Sequence, residues 1–114
     1  MDKNCIFCKI LQGEIKSEIL YEQKNFVIIR DVAPMAKKHF LIIPKVHFAH
    51  LNELDSEKTN ILSEIFENMK EIEKVLGLED GYRLIINQRE FGGQSVNHLH
   101  IHLLGGEKLS EKLN

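Results

Sequence analysis

Residues 91–104 read Phe91-Gly92-Gly93-Gln94-Ser95-Val96-Asn97-His98-Leu99-His100-Ile101-His102-Leu103-Leu104, a glycine-bearing turn followed by alternating histidine and aliphatic residues. Successive side chains of a β-strand point to opposite faces, so a strand here places the three histidines on one face and the aliphatic residues on the other. A helix would separate His100 from His98 and His102 and would leave no continuous apolar face. The pattern therefore predicts a strand with one face in the core and the other available for chemistry.

The composition is that of an ordinary globular domain. The chain has 114 residues, of which 43% are hydrophobic and 28% charged, so we expect one domain over 1–114 with a single core. A formal net charge of -2 provides no basic field for a nucleic acid polymer, although a mononucleotide needs only a local site. No segment has the pattern of a signal peptide or a membrane span, so a cytoplasmic protein without a membrane partner is expected.

The remaining hydrophobic pattern predicts an α+β fold. Short β-favouring runs predict strands at 19–22, 26–30, 39–44 and 82–87, in addition to the histidine strand. A short helix is expected over 4–12, and apolar residues at helical spacing predict one long helix from about 56 to 76. Asp55 or Ser56 would cap the long helix and Gly77 would end it. Because the links between strands are short, neighbouring strands should mostly be antiparallel, with the long helix covering the sheet.

Three histidines on one face, directly after a Gly-Gly turn, indicate a site that handles phosphate. Gly92 and Gly93 allow successive backbone N–H groups to point at one anion. Gln94 and Ser95 add neutral donors. The histidines could instead ligate a metal, but one flat strand spreads them too widely for a single ion, and as buried packing residues each would need a partner. Nucleophilic catalysis at phosphorus fits better, with the central His100 attacking, its neighbours stabilising charge, and water resolving the intermediate.

The two cysteines, Cys5 and Cys8, allow several interpretations. In a reducing compartment they are expected to be thiols or thiolates rather than a disulfide. A Cys-x-x-Cys pair can be a thioredoxin-type redox motif, which follows a strand in a βαβ unit, or two unrelated buried thiols. With two histidines it can complete a tetrahedral Cys₂His₂ zinc site, and closed four-ligand sites are usually structural. His39 is interpreted more simply as a structural residue at the start of a strand.

These motifs resemble those of the histidine triad (HIT) superfamily. The stretch 98–104 is similar to its His-φ-His-φ-His-φ-φ signature, where φ is an apolar residue, and 92–96 resembles its Hint branch of purine nucleoside phosphoramidases. The likeness also covers 5–10, 30–34, 39–45, His47 and Asn87. It implies a five-stranded antiparallel sheet with one long helix and a short N-terminal helix, paired with a second copy into a ten-stranded homodimer sheet.

The same resemblance implies a reaction and its catalytic residues. The reaction is hydrolysis of the P–N bond of adenosine or guanosine 5′-phosphoramidates through a nucleotidyl-histidine intermediate, with no metal required for catalysis. His100 corresponds to the nucleophile. His102 and Ser95 correspond to groups around the phosphate and the leaving nitrogen, with Gln94 and the backbone of Gly93 beside them.

Further residues correspond to the nucleotide-binding site of the family. Asn87 corresponds to a contact on the phosphate side, and Asp31 and Val32 to the ribose-binding loop, with Asp31 on the sugar hydroxyls. The resemblance implies a base pocket lined by five apolar residues, namely Ile6, Phe7, Ile10, Ile15 and Ile29. The expected ligand is therefore a purine nucleotide or a nucleoside phosphoramidate.

The resemblance also implies how the cysteine pair is used. Family members with this Cys-x-x-Cys resemble zinc proteins in which the pair is completed by the histidine after Ile-Pro-Lys and by the first histidine of the triad. Here these ligands are Cys5, Cys8, His47 and His98, and the expected ion is structural Zn²⁺. His50 is a rival to His47, and the remaining alternative is that no metal is bound.

Two other functions stay open at this point. A HIT dinucleoside polyphosphate hydrolase would share His100 but bind a second nucleotide, and a zinc-stabilised nucleotide-binding or scaffold protein would have only vestigial hydrolysis. Eukaryotic Hint proteins continue into a tail that carries tryptophan and proline and touches the partner's site. The tail from Gly105 to Asn114 has no tryptophan and is similar to that of short prokaryotic members, so the leaving-group preference is not implied by the resemblance.

Overall fold

A five-stranded antiparallel sheet with strand order β1-β2-β3-β5-β4 lies at the centre of the computed structural model, which describes residues 3–112. The strands are β1 (Ile19–Glu22), β2 (Phe26–Arg30), β3 (Lys38–Pro44), β4 (Tyr82–Ile85) and β5 (Ile101–Gly105). The helices are α1 (Ile6–Leu11), α2 (Ser56–Glu67) and α3 (Met69–Leu76), with a short 3₁₀ helix at Leu51–Glu53. The predicted α+β fold with a five-stranded antiparallel sheet is confirmed. Residues 1, 2, 113 and 114 of the predicted domain lie outside the described residues.

The central strand β3 explains why the sheet has two apolar faces. Ile42 pairs with Ile28 of β2 and with Ile101 of β5, and these three side chains are fully buried in one core cluster. That cluster includes Ile65 of α2 and Ile72 of α3, so these two helices cover this face. A strand covered on both faces reads as a nearly continuous apolar run, which is why residues 39–44 lack alternation.

The opposite face of the sheet is covered by the short helix α1. Leu41 and Ile43 of β3 are buried in a second cluster with Phe7 and Cys8 of the helix. Because His102 pairs with Leu41 across the β3–β5 ladder, this is also the face on which the histidine stretch enters the sheet. The fold therefore places α1, with its two cysteines, beside the histidines.

The helical segment predicted as one long helix over about 56–76 is divided at Asn68. The backbone of Asn68 has φ -90° and ψ 1°. Its side-chain amide donates to the backbone oxygen of Glu64 at 2.7 Å, and its side-chain oxygen accepts from the Tyr21 hydroxyl at 3.2 Å. An asparagine side chain that bonds to the backbone competes with the helical hydrogen-bond ladder. The predicted ends agree with the structure, since Asp55 accepts from the Lys58 N–H and Gly77 adopts φ 68°.

The histidine strand is shorter than predicted, because β5 begins at Ile101 and not at His98. The backbone oxygen of His98 accepts from the His100 side chain at 2.7 Å, and the Leu99 N–H donates to the Phe48 oxygen. Since these two bonds use backbone groups that a ladder would need, regular pairing starts only after His100. Within β5 the predicted alternation holds, because Ile101 and Leu103 are buried in the cluster covered by α2 and α3, whereas His102 pairs with Leu41 of the α1 cluster. Strand β4 similarly ends at Ile85 instead of residue 87.

The described part of the chain contains no helix of sufficient length and apolar character to cross a membrane.

Candidate active site

Imidazole rings from three segments of the chain form a row on the α1 face of the sheet, interrupted by the ring of Phe7. Adjacent rings have centroids 5.0–5.1 Å apart from His47 to His98, from His100 to His102, and from His102 to His39. Phe7 joins the two halves of the row, since its ring lies 5.9 Å from His98 and 5.0 Å from His100. The triad predicted from the sequence is therefore brought together, and the pairing of β3 with β5 adds a further histidine beside it.

The ring of His100 is held in one orientation and one tautomer. Its Nδ1 lies 2.7 Å from the backbone oxygen of His98, and this ring is only 4% exposed. A carbonyl oxygen can only accept, so Nδ1 carries the proton and the lone pair of the neutral ring is on Nε2. Burial lowers the pKa of His100, although the hydrogen bond to His98 and the charge of Asp31 act in the opposite direction. A neutral imidazole with an available Nε2 lone pair is what a nucleophile requires.

The ring of His98 donates through the other nitrogen. Its Nε2 lies 2.8 Å from the backbone oxygen of Pro44 and must therefore donate, which leaves the lone pair on Nδ1. Burial lowers the pKa of His98 to about 4. The Nδ1 atom lies 3.4 Å from the Cys5 sulfur, 3.6 Å from the Cys8 sulfur and 3.1 Å from Nδ1 of His47. A fully buried lone pair thus points into a group of two sulfurs and a second imidazole nitrogen.

These four donor atoms have the spacing of a tetrahedral metal centre. All four lie within 4.8 Å of one another, and the Cys8 sulfur is 3.2 Å from Nδ1 of His47. With Zn–S bonds of about 2.3 Å and Zn–N bonds of about 2.0 Å, the donors of a tetrahedral zinc site lie about 3.3–3.8 Å apart. The observed separations approach these values. Cys5, Cys8, His47 and His98 therefore form a group that could hold a metal ion, as predicted.

The rival ligand His50 is not part of this group of donor atoms. Its Nδ1 lies 3.3 Å from a carboxylate oxygen of Glu53, at the start of the 3₁₀ helix. Cys5 and Cys8, both within the described residues, form no disulfide. The Cys5 sulfur accepts from the Cys8 N–H at 3.2 Å and caps α1.

His39 contributes more to the site than the structural role assigned from the sequence. Its Nδ1 accepts from the Met35 N–H at 3.0 Å. Its Nε2 lies 2.9 Å from Nδ1 of His102 and 3.4 Å from a carboxylate oxygen of Asp31. Burial lowers the pKa of His102, a positive charge on His100 or His39 would lower it further, and the charge of Asp31 raises it. The only signal for His39 in the sequence was a histidine at the start of a strand, and its neighbour follows only from the β3–β5 register.

The glycine loop before the triad is constrained at the two glycines. A Cβ atom on Gly92 would lie 2.3 Å from the backbone oxygen of Gln88, which no other residue could tolerate without a backbone shift. Gly93 has φ 78°, a conformation that glycine adopts without strain. The amide of Asn87 donates to the Gly92 oxygen at 2.8 Å. The N–H groups of Gly92 and Gly93 donate to the backbone oxygens of Gln88 and Glu90 at 3.1 and 3.0 Å, so they do not point together at an anion as the sequence predicted. The loop is fixed by its own hydrogen bonds.

Gln94 was predicted beside the phosphate, and in the structure its side chain braces the loop. Its amide nitrogen donates to the backbone oxygens of Ala49 and Val96 at 2.9 and 3.1 Å, and its oxygen accepts from the Arg89 N–H at 2.8 Å. Ser95 is exposed, and within the described residues its hydroxyl makes no hydrogen bond to His100 or His102. It borders a cavity of about 320 Å³ together with Asn4, Cys5, Ile6, Val96 and Asn97.

The residues predicted to bind the base and the ribose fall into two groups. Phe7, Ile10 and Ile29 pack together in the cluster under α1. Ile6 and Ile15 are exposed, Asp31 is half-buried, and Val32 is completely exposed. Three of these seven residues are therefore packed together, and the binding of a base and a ribose by the set stays a prediction.

Comparison with known proteins identifies the family. The HIT domain model matches residues 12–109. Protein HitA from Neisseria gonorrhoeae is 44% identical over 102 residues, which is 90% of this chain and 95% of that protein. A HIT family hydrolase from Clostridium thermocellum has a TM-score of 0.92 and 42% identity over the whole of both chains. A histidine triad protein from Clostridium difficile has a TM-score of 0.91 and 38% identity, covering 98% of each chain. The chain belongs to the HIT domain family.

Proposed function

We propose that this protein is a hydrolase that cleaves the P–N bond of purine nucleoside 5′-phosphoramidates through a nucleotidyl-His100 intermediate. The observation that carries the proposal is the 2.7 Å hydrogen bond from His100 Nδ1 to the His98 carbonyl, which leaves Nε2 as the attacking atom. The hydrolase class is supported by the family and by structural neighbours described as HIT family hydrolases. The choice of a phosphoramidate substrate is supported by the similarity of 92–96 to the Hint branch.

The proposed reaction proceeds in two displacements at phosphorus. The Nε2 lone pair of His100 forms a bond to phosphorus, and the P–N bond to the amine breaks, with its electron pair and a proton from solvent going to the amine. Phosphorylation leaves a positive charge on the ring, which the Nδ1–H bond to the His98 carbonyl stabilises. Water then attacks phosphorus, the bond to Nε2 breaks, and the proton lost by the water returns to solvent. The products are a nucleoside monophosphate and an amine.

We also propose that Cys5, Cys8, His47 and His98 bind a structural Zn²⁺ ion. When bound, zinc supplies a cross-link between α1, the segment after β3 and the triad, and the chemistry at phosphorus does not require it. The proposal is supported by the donor set and by the buried Nδ1 lone pair of His98. Because the carbonyl of His98 holds His100, fixing His98 also steadies the nucleophile.

We further propose that the protein forms a homodimer. The strand order leaves β4 at one edge of the sheet, and Leu84 on this strand is 37% exposed. An uncovered edge strand can pair with a second chain, and two β4 strands paired about a two-fold axis would give the ten-stranded sheet. Sedimentation equilibrium at micromolar concentration should give twice the chain mass of 13.2 kDa, and a single-chain mass would contradict the dimer.

The reaction is tested by comparing two substrates with two proteins. Wild type should hydrolyse adenosine 5′-phosphoramidate in preference to a dinucleoside polyphosphate. His100→Gly should lower this turnover by at least about a thousandfold, because it removes the nucleophile. The control is His50→Gln, which changes a histidine outside the row and should retain wild-type turnover.

The other outcomes separate the alternatives. Preferential cleavage of the polyphosphate would replace the phosphoramidase with a dinucleoside polyphosphate hydrolase. No turnover of either substrate, with nucleotide binding intact, would reject an enzyme and favour a binding or scaffold protein.

The metal is tested by zinc content after dialysis. Wild type should hold one Zn²⁺ per chain, and Cys8→Ala should lose it because three ligands bind far more weakly than four. Turnover should fall only partly, since His100 and His102 remain. His50→Gln should keep its zinc. Full zinc occupancy in Cys8→Ala would overturn the ligand assignment.

A further inference from the structure

The protonation of His39 is determined by the backbone of the loop between β2 and β3. The Met35 N–H donates to Nδ1 of His39 at 3.0 Å. A backbone N–H can only donate, so Nδ1 is an acceptor and the neutral ring carries its proton on Nε2. The ring is almost completely buried, so water cannot readily replace this partner.

A second contact leads to the same tautomer. A carboxylate oxygen of Asp31 lies 3.4 Å from Nε2 of His39 and can only accept. The other oxygen of Asp31 accepts from the Ala33 N–H at 2.8 Å, and the Asp31 N–H donates to the His39 oxygen at 2.9 Å. The carboxylate is therefore held beside Nε2 by the same loop. Both neighbours of the His39 ring favour a proton on Nε2.

The tautomer of His39 determines that of His102. Nδ1 of His102 lies 2.9 Å from Nε2 of His39, and because Nε2 carries the proton, Nδ1 of His102 accepts. The neutral His102 ring then carries its own proton on Nε2. A second proton on Nδ1 would force His39 to accept through Nε2 and to carry its proton on Nδ1, directly against the Met35 N–H. The remaining groups described at His102 are the neutral ring of His100 and the carboxylate of Asp31.

The contacts of His39 also distinguish between two interpretations of Asp31, His39 and His102, which could form a hydrogen-bonded group or a metal site. Ligand atoms of Asp31, His39 and His102 lie within 4.8 Å of one another, as in a metal centre. A metal on Nε2 of His39 would displace its proton to Nδ1, where the Met35 N–H already points. The group of Cys5, Cys8, His47 and His98 differs, because the backbone oxygen of Pro44 accepts a hydrogen bond from Nε2 of His98. The lone pair of His98 is then on Nδ1, which faces the other three metal-binding side chains.

We propose that His39 is a positioning residue that keeps His102 neutral, with its proton on Nε2, so that His102 donates a hydrogen bond to a phosphoryl oxygen and does not supply the proton of the leaving amine. The ring of His102 lies 5.1 Å from that of His100, centroid to centroid, so a phosphoryl group bonded to His100 is within its reach. The catalytic consequence rests on the proposed function, whereas the tautomer of His102 does not.

The tautomer is tested by ¹⁵N NMR of the ligand-free protein near neutral pH. The two nitrogens of a neutral imidazole have distinct shifts that identify the protonated one, and His102 is assigned by its loss in His102→Asn. Wild type should show the proton on Nε2. In His39→Phe the ring space remains filled but the donor to Nδ1 is lost, so His102 should become a mixture of tautomers. His39→Gln should restore the wild-type signature, because its amide N–H can donate to His102 and its oxygen can accept from Met35.

The catalytic consequence is tested with two leaving groups, an alkylamine phosphoramidate and a nitrophenyl ester of the same nucleotide. His39→Phe should lower kcat by about tenfold to a hundredfold with little change in KM, since a charge-stabilising donor is misplaced and not deleted. The fold-decrease in kcat of His39→Phe should be equal for both substrates. His39→Gln should retain most of the activity, and His50→Gln all of it.

Three results would overturn the inference. The first is a proton on Nδ1 of His102 in wild type. The second is a failure of His39→Gln to restore the tautomer signal that His39→Phe loses. The third is a loss of kcat in His39→Phe that is much larger for the alkylamine phosphoramidate than for the nitrophenyl ester. The last would make His102 the proton donor to the amine. If wild type turns over neither substrate, the proposed function fails, and the NMR result still supports or rejects the role of His39.

Discussion

The candidate active site is built around one hydrogen bond, in which Nδ1 of His100 donates to the carbonyl of His98 over 2.7 Å. This bond fixes the ring, places the lone pair on Nε2, and takes the carbonyl that a regular strand would have used. It also explains why β5 starts only at Ile101. A buried imidazole in this state needs no activation by a separate base, because its attacking nitrogen is already unprotonated. The late start of β5 and the unprotonated Nε2 of His100 thus both follow from this hydrogen bond.

Hydrogen bonds to backbone groups determine which ring nitrogen of each histidine carries the proton, a difference that the sequence alone does not show. The His98 carbonyl leaves the lone pair of His100 on Nε2, and the Pro44 carbonyl turns the lone pair of His98 towards Cys5 and Cys8. The Met35 N–H reverses the pattern at His39, which becomes a donor to His102. In the proposed function, the same residue type therefore provides a nucleophile, a metal-binding nitrogen and a hydrogen-bond donor within one row. The division follows from which ring nitrogen each backbone group occupies.

Alternation, apolar spacing and turn residues were sufficient to predict the five strands, the short N-terminal helix and the two ends of the long helical segment. The group of Cys5, Cys8, His47 and His98 was implied by the resemblance to the HIT superfamily. The features that were missed depend on contacts between distant segments or on a side chain bonding to the backbone. Asn68 divides the helix through its own amide, which apolar periodicity cannot register. His39 meets His102 only through the β3–β5 register, and Gln94 braces the loop through a carbonyl 45 residues away in the chain. The roles of Ser95 and Asn87 in binding phosphate stay predictions.

The most direct measurement of the central claim is the stereochemical course at phosphorus. A nucleoside thiophosphoramidate of known configuration, hydrolysed in ¹⁸O-labelled water, gives a product whose configuration can be assigned by ³¹P NMR. Attack by His100 followed by attack by water consists of two in-line displacements, each of which inverts phosphorus, so the account predicts overall retention. Overall inversion would show that water attacks the substrate directly, and it would contradict a nucleotidyl-His100 intermediate.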